Sequence, residues 1–212
     1  MKKKIFLMAL GLMSYGAFAQ FESGTIQATG GINFNSGSTE TDGVDQFKNS
    51  GFGIQLGGGY FIMDRVSVGL GIAFNSGKNT NVGAGPNQED IVNKNNQFLI
   101  APYARYYFPY TDRFSAFGQF HFAYGSGSSE TEVGGTTVDG PSQTLINVGV
   151  APGFNYFLTE SIALEMRYGF LGYQSVKTEQ DNGNGGTTET NSGNFGLNLD
   201  LNTINFGFAL FF

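Results

Sequence analysis

The chain has 212 residues, no cysteine, 33 glycines, 22 phenylalanines and a formal net charge of −6. Without cysteine there is no disulfide, no thiolate metal site and no acylated cysteine behind a leader, and the acidic balance has the wrong sign for a phosphate backbone, so nucleic acid is excluded as a partner. Its regularly placed aliphatic and aromatic residues exclude intrinsic disorder.

The elements begin with a leader. Lys2, Lys3 and Lys4 form a cationic start, Ile5 to Phe18 is mostly apolar but short for a bilayer span, and Ala17-Phe18-Ala19 is a small-x-small cleavage pattern. Residues 1–19 therefore read as an export signal peptide cut after Ala19, which puts the mature N-terminus at Gln20. A retained anchor is the competing reading, and the absence of a charged stop-transfer flank argues against it. Loss of the three lysines leaves 8 basic against 17 acidic residues, a formal charge of −9. Roughly 190 residues remain, one domain's worth. They contain no further apolar run of about 18 residues, so a barrel is the one way left to cross a membrane.

Eight segments of every-other-residue hydrophobicity follow, the signature of strands. The first, Thr25 to Phe34, carries Ile26, Ala28, Ile32 and Phe34 on one parity. The next two carry Phe52, Ile54, Leu56 and Tyr60, then Val66, Val68, Leu70, Ile72 and Phe74. The fourth carries Phe98, Ile100, Pro102, Ala104 and Tyr106, and the fifth Phe114, Ala116, Phe120, Phe122 and Tyr124. Ile146, Val148, Val150, Phe154 and Tyr156 make the sixth, Ile162, Leu164, Met166 and Tyr168 the seventh, and Ile204, Phe206, Phe208, Leu210 and Phe212 the last. Leu197, Leu199 and Leu201 have the opposite parity to this last set, which requires a bulge or break near Asn202-Thr203.

Short connectors at Met63-Asp64-Arg65, Pro109 to Arg113 and Leu158 to Ser161 alternate with long ones at about 35–50, 76–95, 125–143 and 173–194. Such alternation is that of a transmembrane barrel with periplasmic turns and extracellular loops, and it places both termini in the periplasm. Tyr60-Phe61, Tyr106-Tyr107 and Tyr156-Phe157 each precede a charged turn and a new strand, a weak internal repeat that reads as an interfacial aromatic girdle.

The parity opposite the bulky residues is Gly, Ala, Ser, Asn, Gln and a few charges. A soluble lipocalin-like barrel needs its large apolar side chains inside; here the small, polar parity cannot fill a dry core, so the bulky face looks into lipid. The fold expected is all-β, an eight-stranded antiparallel transmembrane up-and-down barrel over residues 20–212. A barrel of this size is filled by side chains, and Tyr103, Arg105, Tyr107, Phe117, His121, Glu165 and Arg167 are expected to plug the lumen.

The whole mature chain resembles the small eight-stranded outer-membrane barrels, the OmpA/OmpX-like and porin-like outer membrane protein β-barrel group. The resemblance rests on the leader, on Ile100-Ala101-Pro102-Tyr103-Ala104-Arg105-Tyr106-Tyr107 with its counterpart Val150 to Phe157, and on the ending Asn205 to Phe212. It implies a place in the outer membrane of a Gram-negative bacterium and a C-terminal assembly signal, Phe206, Phe208, Leu210 and Phe212, offered to the outer-membrane assembly machinery by strand addition. It says little about activity. No peptidoglycan-binding domain is expected after Phe212.

Arg105, Glu165, Arg167, His121 and Tyr103 make up a lumenal polar network. The structural reading is an ion-pair network confined in a narrow interior; the alternative is a gate. The lone His121 with Ser115 and Glu165 could serve a lipid A-modifying enzyme, but no motif surrounds them and His121 points away from lipid. Asp181-Asn182-Gly183-Asn184-Gly185-Gly186 faintly echoes a calcium turn without its closing Glu, and reads as solvated loop. In the long loops the acids Glu40, Asp42, Asp45, Glu89, Asp90, Glu130, Glu132, Asp139, Glu179, Asp181 and Glu189 outnumber Lys48, Lys78, Lys94 and Lys177. That is a hydrated surface suited to divalent bridging to lipopolysaccharide or to a cationic partner. The expected function is non-enzymatic, structural or adhesin-like, in a monomer with no cofactor or metal, acting through loops on an extracellular ligand. The runner-up is a narrow passage for small solutes, with apolar ones leaving sideways into lipid as in OmpW-like barrels.

Overall fold

The computed structural model describes residues 19–41, 44–83, 89–183, 185–199 and 204–212. The signal-peptide assignment falls almost wholly on residues outside these, as do Asp42, Asn184 and the expected break point Asn202-Thr203.

Ten strand segments follow in order: β1 (Ile26–Thr41), β2 (Val44–Met63), β3 (Val66–Asn81), β4 (Ile91–Thr111), β5 (Phe114–Val133), β6 (Thr136–Phe157), β7 (Ile162–Arg167), β8 (Phe170–Asp181), β9 (Thr187–Asn198) and β10 (Asn205–Phe211). All pairings are antiparallel, and β1-β2-β3-β4-β5-β6-β7-β10 closes on itself to give the expected eight-stranded barrel. The seventh and eighth strands are each broken in two. Along β6, Gly153–Phe157 pairs β7 and Ser142–Val150 pairs β8. Between them the chain steps out at Tyr168-Gly169, where Gly169 sits at φ 76°, a left-handed conformation that glycine alone adopts without strain. The eighth strand stops at Asn198 and resumes at Asn205, so the parity change expected there is taken up between β9 and β10.

The bulky parity lies on the outside. Leu56, Leu70 and Phe120 are exposed, while Gln27, Ser67, Arg105 and Asn155 are buried within. In water this would be inside-out; against acyl chains the outward side chains are solvated and the polar ones are enclosed.

The aromatic doublets come out differently from the girdle expected. Neighbouring residues of a strand point to opposite faces, so Tyr60, Tyr106 and Tyr156 face outward at 45–48 % exposure, whereas Phe61, Tyr107 and Phe157 turn inward and are buried. These three join Phe117, Phe211 and Phe21 in an aromatic plug at the short-turn end. Phe21 is its hub: its ring stacks on Tyr107 at 4.7 Å between centroids and meets the edges of Phe157 and Phe211 at 5.8 and 5.7 Å. The segment carrying it is fixed under the barrel by Arg65 N–H donating to Phe21 O at 2.6 Å and Gly24 N–H donating to Phe61 O at 2.9 Å.

The segments 35–50, 76–95, 125–143 and 173–194, read as loops, are for the greater part paired strand. The β1–β2 ladder runs out to Thr41 and Val44, and β5–β6 to Val133 and Thr136. At about 3.3 Å per residue strands of some 20 residues are about twice as long as a hydrocarbon core of roughly 30 Å requires. Their outer halves stand in water on both faces, which removes the alternation that marks a strand in sequence without removing the backbone ladder. Gly134 and Gly135, both at positive φ, make the tight turn at the β5–β6 tip.

Closure is complete only at the short-turn end. β1 and β10 share four register pairs, Gln27↔Phe211 to Gly30↔Phe208. Beyond Gly30, β1 is paired with β2 alone and β9 with β8 alone, so among the described residues the two line an unpaired seam.

Candidate functional site

Side chains from β1, β4, β5 and β7 meet across the lumen to form the polar floor. Arg105 on β4 and Glu165 on β7 meet as a fork-to-fork pair, Nη1 to Oε2 at 2.7 Å and Nη2 to Oε1 at 3.0 Å, with both side chains buried. This is the strong, directional form of the ion pair. Arg105 Nε donates to Gln119 Oε1 on β5 at 2.7 Å, and Nη1 also reaches Tyr107 Oη at 3.3 Å. Tyr107 Oη in turn donates to Gln27 Oε1 on β1 at 3.0 Å. The guanidinium lies 4.8 Å from the Tyr103 ring centroid and 4.5 Å from that of Phe117, so its remaining faces are covered by aromatic π surface.

Arg167, two residues along β7, sits less tightly. Its Nη2 donates to Gln55 Oε1 on β2, and its Nε approaches Glu165 Oε1 at 3.6 Å. His121 on β5 is the direct cross-strand partner of Tyr103, and its Nε2 lies 3.0 Å from Asn147 Oδ1 on β6. All five residues of the expected network therefore face one space. The hydrogen-bonded glutamines and Asn147 were missed by sequence reasoning because amides recur on the inner parity of every strand; the one available signal was that parity itself. Above this floor a cavity of about 240 Å³ remains, walled by small and aliphatic groups such as Ala73, Ala101, Leu99 and Leu145. Inner-face glycines make room for the large side chains: a Cβ on Gly153 would lie 2.2 Å from the Phe117 ring, and one on Gly69 2.5 Å from that of Tyr103.

The hydrolase-like trio is not assembled. Ser115 lies six residues from His121 on β5, roughly 20 Å at 3.3 Å per residue. Its hydroxyl has no partner, and the described hydrogen bond of His121 goes to Asn147, not to a carboxylate. In the 181–186 turn, Asp181 Oδ1 accepts from Gly183 N–H and Asn182 Oδ1 from Gly186 N–H, so these oxygens serve the turn. Among the described residues no cluster of three or more acidic or histidine side chains could hold a metal ion.

On the long hairpins Lys48, Lys94 and Lys177 are paired with acids. Lys94 bonds Glu132 at 2.8 Å, Lys48 bonds Asp45 at 2.5 Å, and Lys177 bridges Glu179 at 2.6 Å and Glu189 at 3.0 Å. The hydrogen bond from Lys94, and then its charge, hold the Glu132 carboxyl below the ordinary carboxylate range; the same bond raises the Lys94 ammonium. Phe206, Phe208 and Phe212 of the C-terminal strand face outward, with Leu210 half-buried among them.

A closed antiparallel wall, greasy outside and polar within, defines an integral outer-membrane β-barrel protein. The chain belongs to the outer membrane protein beta-barrel domain family, whose model matches residues 5–212. Among solved structures it is similar to Neisserial surface protein A, at 17 % identity with a TM-score of 0.38, covering 88 % of this chain and 95 % of that one. It is also similar to the outer membrane protein OprG from Pseudomonas aeruginosa, at 19 % identity and a TM-score of 0.46 over 91 % and 98 % of the two chains. The translocator domain of autotransporter NalP from Neisseria meningitidis follows at 11 % identity and 0.43 over 99 % and 94 %. No curated protein matches.

Proposed function

We propose that this is a non-enzymatic outer-membrane scaffold that acts at the cell surface through its four extended hairpins, with the short turns and both termini in the periplasm. The observation that carries this reading is the contrast between the two ends. At the short-turn end the lumen is filled by the aromatic plug and the Arg105–Glu165 floor, whereas at the other end β4, β5 and β6, each 20 to 22 residues long in all, run on as paired hairpins. A rigid barrel presenting long polar hairpins suits recognition, with lipopolysaccharide contacted through divalent bridges between its phosphates and hairpin acids such as Glu130 and Asp139. The outward C-terminal aromatics suit delivery by the assembly machinery as a monomer.

The test is a cell-surface binding screen on cells expressing the full chain, repeated after the hairpin tips are cut back to two-residue Asn-Gly turns. Binding to host matrix or cells should disappear while the barrel still folds. Binding that survives removal of all four extensions contradicts the reading, and binding that survives neutralisation of the hairpin acids contradicts its charge-based part.

A second reading, sideways passage of small apolar solutes into lipid, is favoured by the seam. The space lined by Ile32, Phe34, Ile204 and Phe206 shares Gln55, Asn205 and Phe206 with the lumenal cavity. Ile32 and Phe206 would face each other if the β1–β10 register ran two residues further. Cysteines at these two positions, oxidised to a staple, should stop solute uptake if this path operates; uptake that is unaffected excludes it.

A further inference from the structure

On the hairpin halves of the strands hydrophobicity has no period, but charge has one. Lys48, Lys78 and Lys94 continue the outward parity of Phe52, Phe74 and Phe98 along uninterrupted stretches of β2, β3 and β4. Glu132 on β5 and Lys177 on β8 likewise continue the outward parity of Tyr124 and Tyr173. Among the described residues of these ladders, no acidic or basic side chain takes the inward parity above the Arg167–Gln55 contact. Burial does not impose this neutrality, because Asn33, Asn35 and Asn95 on the inner face are exposed, and a charge that stays in water escapes the cost of burial.

The inner wall carries amides instead, in a regular pattern. Asn49 stands opposite Gly37, Asn35 opposite Gly51, Asn33 and Asn75 on either side of Gly53, and Asn95 opposite Gly77. A Cβ on Gly37 would lie 2.6 Å from Asn49 Oδ1 and one on Gly77 2.5 Å from Asn95 Oδ1, so the amides lie across the bare backbone of the next strand. Among the described residues these five asparagines bond no protein group. Each therefore offers the vestibule a carbonyl acceptor and an N–H donor side by side. That pair matches a hydroxyl, which donates and accepts, and leaves an ion without a counter-charge. Nearer the tips the inward Ile91, Val133 and Val138 are exposed and add apolar surface of the kind the C–H faces of a sugar ring pack against.

We propose that the inner face of the extended hairpins is a binding cleft for an uncharged oligosaccharide. Its hydroxyls bond the asparagine amides of β1 to β4, and the outward charges keep the hairpins solvated and apart from the ligand. This inference rests on the surface-recognition reading above and names the partner, moving recognition from the acids to the neutral wall.

Calorimetric titration of the refolded protein in dodecylphosphocholine micelles, whose headgroups carry no sugar, tests it. The probes are maltohexaose, cellohexaose and chitohexaose, with hexagalacturonate and hexaglucosamine as charged counterparts and an uncharged glycine-serine hexapeptide as the non-sugar control. At least one neutral hexaose should bind, with the charged sugars and the peptide weaker by about tenfold or more. Asn35→Ala combined with Asn75→Ala should weaken that hexaose by about tenfold or more, whereas Lys78→Gln, on the outer face, leaves it unchanged. Retained heat-modifiable mobility on gels shows that the variants fold. Absence of binding by all three hexaoses, undiminished binding by the double asparagine variant, or equal binding of a charged sugar or of the peptide overturns the proposal. If it falls while cells still attach through the hairpins, the surface-recognition reading stands without it; if attachment is lost as well, both fail.

Discussion

Arg105 and Glu165, sixty residues apart in sequence, meet fork to fork in the middle of the barrel with Nη1···Oε2 at 2.7 Å and Nη2···Oε1 at 3.0 Å. Glu165→Gln leaves the buried Arg105 guanidinium and the half-buried Arg167 with no acid between them, and removal of one partner of a buried pair costs about 3–5 kcal/mol. The midpoint of urea unfolding in detergent should fall accordingly. Arg105→Met combined with Glu165→Leu should regain most of the loss, because the two buried charges go together while the partly open Arg167 keeps its bond to Gln55; a double variant as weak as the single one would contradict this account of the floor.

The aromatic doublets supply a paired test. Phe61→Ala empties part of the plug and should cost about 3–5 kcal/mol, whereas Tyr60→Ala, one residue away but facing outward, removes a ring from the lipid side and should cost far less. Comparable losses at the two positions would mean that the inward and outward assignments are mistaken.

Gly153 on β6 is the cross-strand partner of Phe117, and Gly118 is the next residue of β5, but the two differ in what a methyl group would meet. A Cβ on Gly153 runs into the Phe117 ring at 2.2 Å, whereas one on Gly118 finds nothing within 4 Å. Gly153→Ala should therefore lower stability by about 1–3 kcal/mol through overpacking, and Gly118→Ala should be tolerated. Thermal unfolding monitored by circular dichroism distinguishes them.

At the hairpins the Lys94–Glu132 pair sets a pH window. Because the folded Glu132 carboxyl is lowered, chiefly by its hydrogen bond from Lys94, its contribution is present at neutral pH and disappears as pH falls through that lowered value; because Lys94 is raised, its contribution disappears as pH rises through the raised value. Amide protection near Asn93 and Thr131, relative to the intrinsic exchange rate at each pH, should therefore be greatest across the neutral range and fall at both extremes. Lys94→Gln should abolish the dependence, and added salt should weaken it.

Much of this molecule can be read from its residues, and the boundary of legibility is physical. Leu70 and Gly71, or Phe120 and His121, announce their faces because lipid and lumen are solvents of opposite character and the strand period is two. The same contrast brings Arg105, Glu165 and Arg167 onto one inner face. Where both faces are wet, as from Ser76 to Asn81, the period vanishes and a paired strand reads as loop. An aromatic doublet at a strand end contains both an outward and an inward ring, so the sequence alone does not separate Phe61 and Phe157 from the girdle. Gly169, one of 33 glycines, carries no mark that the chain steps out there. Phe21 lies outside every periodic segment, so its place at the hub of the plug follows only from tertiary packing.

Planar-bilayer recording from the refolded protein bears most directly on the closed floor. With Arg105 clamped to Glu165 above the aromatic plug, the bilayer should show no conductance steps, and Glu165→Gln should raise conductance only if the floor acts as a gate. Stable, reproducible steps from the unaltered protein, of the size given by a water-filled pore, would contradict a sealed barrel.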